Sequence, residues 1–542
     1  MSLKELPSRP DLKQYKKQAK DLLKAWKSAD TVALQRLKQF HPDFKSLSDS
    51  ALPSAKFALA DAQFVIAREH GFDSWPKFAA HVETLNIQRA AKLTNPVDAF
   101  IDGACVPLEG SHGAGTLDGA DAILADHPEV ARANIYTASI LGDDASVRRF
   151  LALDPRSATA KGGPREWDAL TYLCFSRYLR IDRERSPAFV PAATALLDAG
   201  ANPNTGWYEK DHQPDPGWEC VLYGAAGLAH SADLTRLLLE RGADPNDGET
   251  PYHAPEGYDN AALKVLVESG KLNEESLTTM LLRKTDWHDY EGIRYLLERG
   301  ADPNRMTRWG NSALHHAVKR DNGITIIELF LDHGANPNLE NRDHQSAVAI
   351  AARRGRGDVL DLLEQRNIPI ELQGADRLIA ECARNHGDAV RAIAAREPEL
   401  VREVLAQGGT FLSEFAGNGN TDGVRQLLDL GVDVAASYKE GDLYFEVAKD
   451  GTALHSAAWR AWPSTVKLLI ERGAPVNATD ARGRTALQLA VRACVDSYWT
   501  NRRSPDSVEA LLRAGAKVTG IDLPSGYAEV DRVLAAVSSA QQ

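Results

Sequence analysis

Apolar residues recur at helical spacing along nearly the whole chain, and glycine-centred punctuation cuts that pattern into short pieces. Near the N-terminus Leu12, Tyr15, Ala19, Leu22 and Leu23 share one stripe. The stretches Val32 to Phe40, Ala58 to Glu69 and Trp75 to Val82 follow with the same period. These predict a small helical leader over residues 1–85, joined by a linker at 86–96 to the rest of the chain. Further on, a near-identical phrase returns: Leu196-Leu-Asp-Ala-Gly-Ala-Asn-Pro-Asn204, Leu238-Leu-Glu-Arg-Gly-Ala-Asp-Pro-Asn246, Leu296-Leu-Glu-Arg-Gly-Ala-Asp-Pro-Asn304 and Phe330-Leu-Asp-His-Gly-Ala-Asn-Pro-Asn338. Weaker copies end at Gly431, Gly473 and Gly515. The glycine steps of 42, 58, 34, 97, 42 and 42 residues fit multiples of a unit of roughly 33 once several units carry insertions.

Each part of the phrase has a mechanical role. Leucines on an apolar stripe precede a glycine able to take the left-handed conformation that ends a helix. Asp/Asn-Pro-Asn then supplies a fixed φ and side-chain to backbone turn bonds, so the helix stops and the chain turns outward. Ser312 before Ala313 and Leu314, and Thr485 before Ala486 and Leu487, place a hydroxyl ahead of an apolar helix, which is an N-cap signal.

This cycle of turn, helix and helix resembles the ankyrin repeat. Its helix-start signature appears as Thr452-Ala-Leu-His455-Ser-Ala457 and Thr250-Pro-Tyr-His253-Ala254, with alanine replacing the signature proline at Ala313, Ala347, Ala453 and Ala486. The resemblance covers residues 97–520 and implies an all-α ankyrin-repeat solenoid of about ten to twelve units, some degenerate. Each unit would bury its apolar face only against its neighbours. Residues 521–542 are expected to form a capping helix and tail. The leader is similar to a helical segment found before many bacterial ankyrin-repeat proteins, on Leu59-Ala-Asp-Ala-Gln-Phe-Val-Ile-Ala-Arg-Glu-His-Gly-Phe-Asp-Ser-Trp75, and that resemblance carries no activity with it. The ankyrin resemblance also implies that the motif histidines His253, His315 and His455 tie neighbouring units together.

Composition narrows the function classes. The 63 basic and 75 acidic side chains of the 542 residues leave a net charge of −12, which argues against nucleic acid or an anionic bilayer as the main partner. Cys105, Cys174, Cys220, Cys382 and Cys494 are odd in number and widely spaced, so neither a disulfide framework nor a zinc knuckle is readable. A reducing, cytoplasmic setting is expected, and no apolar run approaches the ~18 residues of a membrane span. The leader departs from the acidic balance: Lys13, Lys16, Lys17, Lys20, Lys24 and Lys27 form a basic helical face, read as solvated.

Departures from the repeat length mark where chemistry or recognition would sit. The step from turn Asn to first large helix residue is ten in regular units, but eighteen from Asn204 to Leu222 and nineteen from Ala435 to Leu454. The first insertion carries Trp207, Tyr208, His212 and Trp218, and the second carries Tyr438, Tyr444 and Phe445. With Trp167 and Trp309 in neighbouring fingers and Trp287, His288 and Tyr290 in a helix-to-helix turn, aromatic rings are expected along one rim of the concave surface. Rings with a polar handle are what binding hot spots use. His212, His288 and His344 stand beside Asp211, Asp289 and Asp343, an acid/base or metal site only if they converge; adjacent His/Asp pairs in turns are more often solvated. The glycine-rich run Gly110 to Gly119 lacks the strand before and the Lys-Ser/Thr after that a phosphate loop needs, so it reads as a turn.

The expectation is therefore a non-catalytic scaffold that binds a protein or peptide partner through Trp207, Tyr208, His212, Trp218, Trp287, His288, Tyr290, Trp309 and His344. It would have no cofactor, no metal, no membrane and no nucleic acid. The alternative is an enzyme or small-molecule binder built from the enlarged fingers between Trp207 and His344. A deep pocket with perturbed titrating groups would favour that alternative.

Overall fold

The computed structural model describes residues 4, 6, 11–28, 30–41, 44, 57, 59–93, 95–210, 217–521 and 523–540. The chain divides into two compact units, one of residues 76–336 with 6–12, the other of residues 337–542 with 13–75 and 1–5. Both are built from short helices in sequential pairs.

In the unit of residues 76–336 the pairs include Ala169–Cys174 with Phe189–Asp198, Glu249–His253 with Ala261–Glu268, Glu274–Asp286 with Tyr290–Glu298, and Ala313–Lys319 with Ile324–Asp332. Helices this short are marginal alone, so stacking must stabilise them. Glu274–Asp286 packs on Glu249–His253 and on Ala313–Lys319, while Ala232–Glu240 packs on Ala261–Glu268 and Tyr290–Glu298 on Ile324–Asp332. The motif glycine ends its helix as expected, with Gly242 at φ +98° and Gly300 at +91°. Ala243 N–H then donates to Leu238 O (2.9 Å) and Ala301 N–H to Leu296 O (3.1 Å), the long closing bond of a Schellman end.

The last Asn of the phrase does more than close its own turn. Asn304 Nδ2 donates to Gly334 O (2.8 Å) while its Oδ1 accepts from Asn336 N–H (2.7 Å), so one side chain clamps the backbone of the next unit. Asn204 holds Gly242 and Asp244, and Asn246 holds Lys271 and Asn273, in the same way.

The first enlarged finger is a hairpin of β1 (Gly206–Glu209) and β2 (Gly217–Cys220), pairing antiparallel with Trp207 opposite Glu219. Gly206 is required there, because a Cβ would lie 2.1 Å from Glu219 O.

The other unit repeats the scheme through Ala347–Arg353 with Gly357–Gln365, Gly408–Gly417 with Thr421–Asp429, Ala453–Trp459 with Pro463–Glu471, and Ala486–Val495 with Asp506–Arg513. Asn477 clamps Gly515 and Lys517. The second enlarged finger holds the short strands β3 (Ser437–Tyr438) and β4 (Gly451–Thr452). The last described element is the helix Ala528–Ala540.

Within residues 13–75, Tyr15, Ala19, Leu22, Ala33, Leu37, Ala62, Val65 and Ile66 are buried, following the apolar stripe. Glu69 is buried between Arg36 (2.6 Å) and Lys4 (2.6 Å), and the six lysines of the basic face are exposed. The helix Trp75–Leu93 runs on through positions expected to be linker. Among the described residues no helix is long and apolar enough to cross a membrane.

Candidate functional site

The first enlarged finger and the turns around it line a half-open cavity of about 710 Å³ wholly within the unit of residues 76–336. Four short segments supply its polar wall. The loop before the helix Asp118–Asp126 brings His112, the hairpin brings Glu209 and Glu219, the helix Val221–Tyr223 brings Tyr223, and Glu249–His253 with its following turn brings Glu249, His253 and Glu256. Tyr252, Leu228 and Trp309 add apolar surface, and Arg180 and Arg308 complete the rim.

Glu219 is the unusual member. It is 2% exposed, and its Oε2 has no hydrogen-bond partner among the described residues. Burial, then the nearby carboxylates of Glu249 and Glu209, push its carboxyl up to about 8, so it holds its proton at neutral pH. His253 is the opposite case. Burial would lower it, but Glu256 at 2.9 Å and Glu249 at 3.3 Å hold it up at about 9, as a cation. His112, buried and then opposed by the charge of His253, is pushed down to about 4 and stays neutral; its Nδ1 hydrogen-bonds Tyr223 Oη at 3.0 Å. The Tyr223 phenol is raised by burial and then by the ring of carboxylates around it.

The cavity thus places a protonated carboxyl, an imidazolium and a neutral imidazole around one void. Cys220, next to Glu219 in the chain, is not an activated nucleophile: it donates its thiol hydrogen to Asp247 Oδ2 (2.7 Å), and burial with that carboxylate pushes the thiol well up. Among the described residues no three His, Cys, Asp or Glu side chains converge as a metal site would need.

The sequence-derived rim is corrected in part. Trp167 and Trp207 are buried, Trp207 to 7% exposure, and stack with ring centroids 5.1 Å apart, so this half of the expected rim is an aromatic core under the finger. The cause is the strand register, which turns Trp207 inward beside Glu219 and leaves Tyr208 outside. Tyr208 is 61% exposed and rests on the half-buried Trp218, centroids 4.7 Å apart. Trp309 is 38% exposed and meets Tyr252 at 5.6 Å. Trp287 is half-buried beside Tyr258 (6.2 Å), and Tyr290 is 40% exposed. His288 is exposed in its turn, but Asp289 is not its partner: it caps the next helix and pairs with the fully buried Lys284 at 2.7 Å. His344 lies in the other unit, exposed, 3.4 Å from Glu340. His212 and Asp211 lie outside the described residues.

The motif histidines diverge. His455 donates from Nε2 toward Ala478 O (3.0 Å) and Arg484 O (3.1 Å) of the following finger, tying neighbouring units. His253, at the matching place in its helix, is turned instead into the cavity. His316 meets Asp286 at 2.9 Å, beside Arg320 on the same carboxylate (2.8 Å).

Against known proteins, the ankyrin-repeat profiles for three and for many copies match residues 281–374 and 454–497 respectively. Ankyrin repeats are present in this chain. Beyond those segments the same Asn clamps and helix ends extend the repeat fold. Serine/threonine-protein kinase 12 of Arabidopsis thaliana is 36% identical over 84 residues, 16% of this chain and 16% of that protein. The human transient receptor potential cation channel subfamily A member 1 is 30% identical over 95 residues, 16% of this chain and 8% of that protein. The chain therefore matches less than a fifth of either relative's length. The ankyrin repeat domain of human ASB11 is similar at 23% identity, over 49% of this chain and 98% of that domain, with a TM-score of 0.22.

Proposed function

We propose that this chain is a non-catalytic scaffold whose ankyrin repeats capture a protein or peptide partner on their concave face, with the outward aromatic side chains of the unit of residues 76–336 as contacts. Ankyrin repeats generally mediate protein–protein interaction. The observation that carries the reading is the placement of large rings in water: Tyr208 and Tyr290 stand exposed, and Trp309 is only part covered. Such rings gain by covering, and an interface supplies the cover. His288, Trp218 and Trp287 belong to the same proposed surface. His344 and His212 are kept as candidate contacts from their finger positions. A bacterial, cytoplasmic setting is part of the proposal; five buried free cysteines suit a reducing compartment.

The test is a pull-down with the intact chain and with a Tyr208→Ala/Tyr290→Ala variant, captured proteins being identified by mass spectrometry. The expected outcome is loss of the specific partner with Tm unchanged within about 2 °C, since exposed substitutions change stability by about 0.5 kcal/mol or less. Undiminished capture by the variant would remove these rings from the proposal.

A further inference from the structure

We infer that the cavity beneath the first enlarged finger receives a protonated organic amine, its ammonium group paired with Glu219 and its aliphatic stem lying along Tyr252 and Trp309. This site shares Trp309 with the proposed partner surface but does not depend on the scaffold reading.

The starting observation is an unmet need. A carboxyl buried to 2% exposure with an oxygen lacking any partner among the described residues is costly, and burying it charged costs more unless a counter-charge arrives. Of the groups around Glu219, the acidic Glu249, Glu209 and Asp247 increase that need, while the cation of His253 opposes them but is shared with Glu249 and Glu256, and Arg180 and Arg308 stand at the rim. A divalent metal does not fit, because among the described residues the carboxylates do not converge on one point. Spread around a void of about 710 Å³, they suit an extended cation instead. Tyr252 and Trp309 also line the void, and their rings attract cations, Arg283 lying 4.1 Å from the Tyr252 centroid and Arg308 4.6 Å from that of Trp309.

Binding then has a proton balance. Empty, Glu219 is a neutral acid at pH 7; occupied, it is a carboxylate beside an ammonium, and its proton leaves to solvent. No bond other than that O–H is broken. The amine has two possible sources of one chemistry, a lysine side chain of a protein partner or a free aliphatic diamine.

Calorimetric titration of the full chain with N-acetyl-lysine N-methylamide and with 1,5-diaminopentane, each in phosphate and in MOPS at pH 7, separates the two sources. The expected result is saturable binding of at least one amine, with heats that differ between buffers as release of close to one proton requires. Binding of only the lysine derivative points to a protein source, and of only the diamine to a small-molecule source. Glu219→Gln keeps the shape and is expected to weaken binding about tenfold or more and to abolish the buffer dependence. Trp309→Leu, at a part-exposed position, is expected to weaken binding several-fold with Tm nearly unchanged, and it carries the test if the Gln variant does not fold. The inference is overturned if neither amine binds the intact chain, if 1-pentanol binds as tightly as the amines, if no proton is released, or if both variants bind like the parent. Failure of the amines to bind would leave partner capture through Tyr208 and Tyr290 untouched, since neither lines the cavity.

Discussion

The two enlarged fingers are insertions of nearly equal length at the same point of the repeat, yet they solve opposite problems. Over β3 and β4 the added residues make a closed centre. Phe445, Tyr438, Val447 and Trp459 are buried together, and Trp459 Nε1 donates to Phe445 O at 2.6 Å. Arg460 lies 4.0 Å and Arg354 5.2 Å from the Phe445 ring. The partly buried carboxylate there, Glu414, is matched on both sides, accepting from Tyr438 Oη and pairing with Arg354 at 2.8 Å. Over β1 and β2 the aromatic centre of Trp167 and Trp207 stops short, and Glu219 is left facing a void. An insertion therefore adds material without determining its use; whether the buried carboxylate has been given its cation distinguishes a structural brace from a vacancy fit for a ligand.

The comparison can be broken most forcefully at its closed member. Trp459→Ala removes the largest buried ring packed under the second finger and is expected to cost about 3–5 kcal/mol, measured by urea unfolding. A cost below about 1 kcal/mol would mean that this finger is not packed as described.

The next effect is smaller and depends on pH. The folded chain favours protonated Glu219, so its contribution is full below the ordinary carboxyl value of 4.5 and is lost as pH rises through about 8. His253, held up to about 9 by its glutamates, loses its contribution in the same direction, from 6.5 upward. Glu219→Gln isolates the first share. Relative to the parent it should gain about 1–3 kcal/mol between pH 5 and pH 9, read as a widening Tm difference. A difference independent of pH would show that Glu219 ionises freely and that the two fingers are electrostatically alike.

The smallest effect lies on the second finger's rim, where exposed Lys439 pairs with Asp450 at 3.1 Å. Lys439→Ala should cost about 0.2–1 kcal/mol at low salt and less at high salt. A larger, salt-insensitive cost would locate that finger's stability at its edge instead of its aromatic centre.

The repeat was legible because its signals are local. Gly242 and Gly300 end helices for reasons contained in their own few residues, and Ser312 and Thr485 cap helices from one position away. The inward turn of Trp207 is not legible in the sequence, because inward and outward faces of a strand alternate by single residues, and a finger offers no second period to fix which is which. Glu219 left one readable trace, a charge between Trp218 and the apolar run Cys220-Val-Leu-Tyr223 where a buried strand would carry none. His112 was hidden in a glycine-rich turn whose approach to Tyr223 spans over a hundred residues of sequence. His253 matched its motif but not the motif's usual partner, because Glu249 and Glu256 stand one turn either side of it.

The amide clamps of Asn204, Asn246, Asn304 and Asn477 each join one unit only to the next. Under tension along such a row, load would fall on one fastening at a time, and extension would proceed as a sawtooth of small ruptures instead of a single break. A repeat could then peel away and re-anneal while the units beyond the next fastening kept their form.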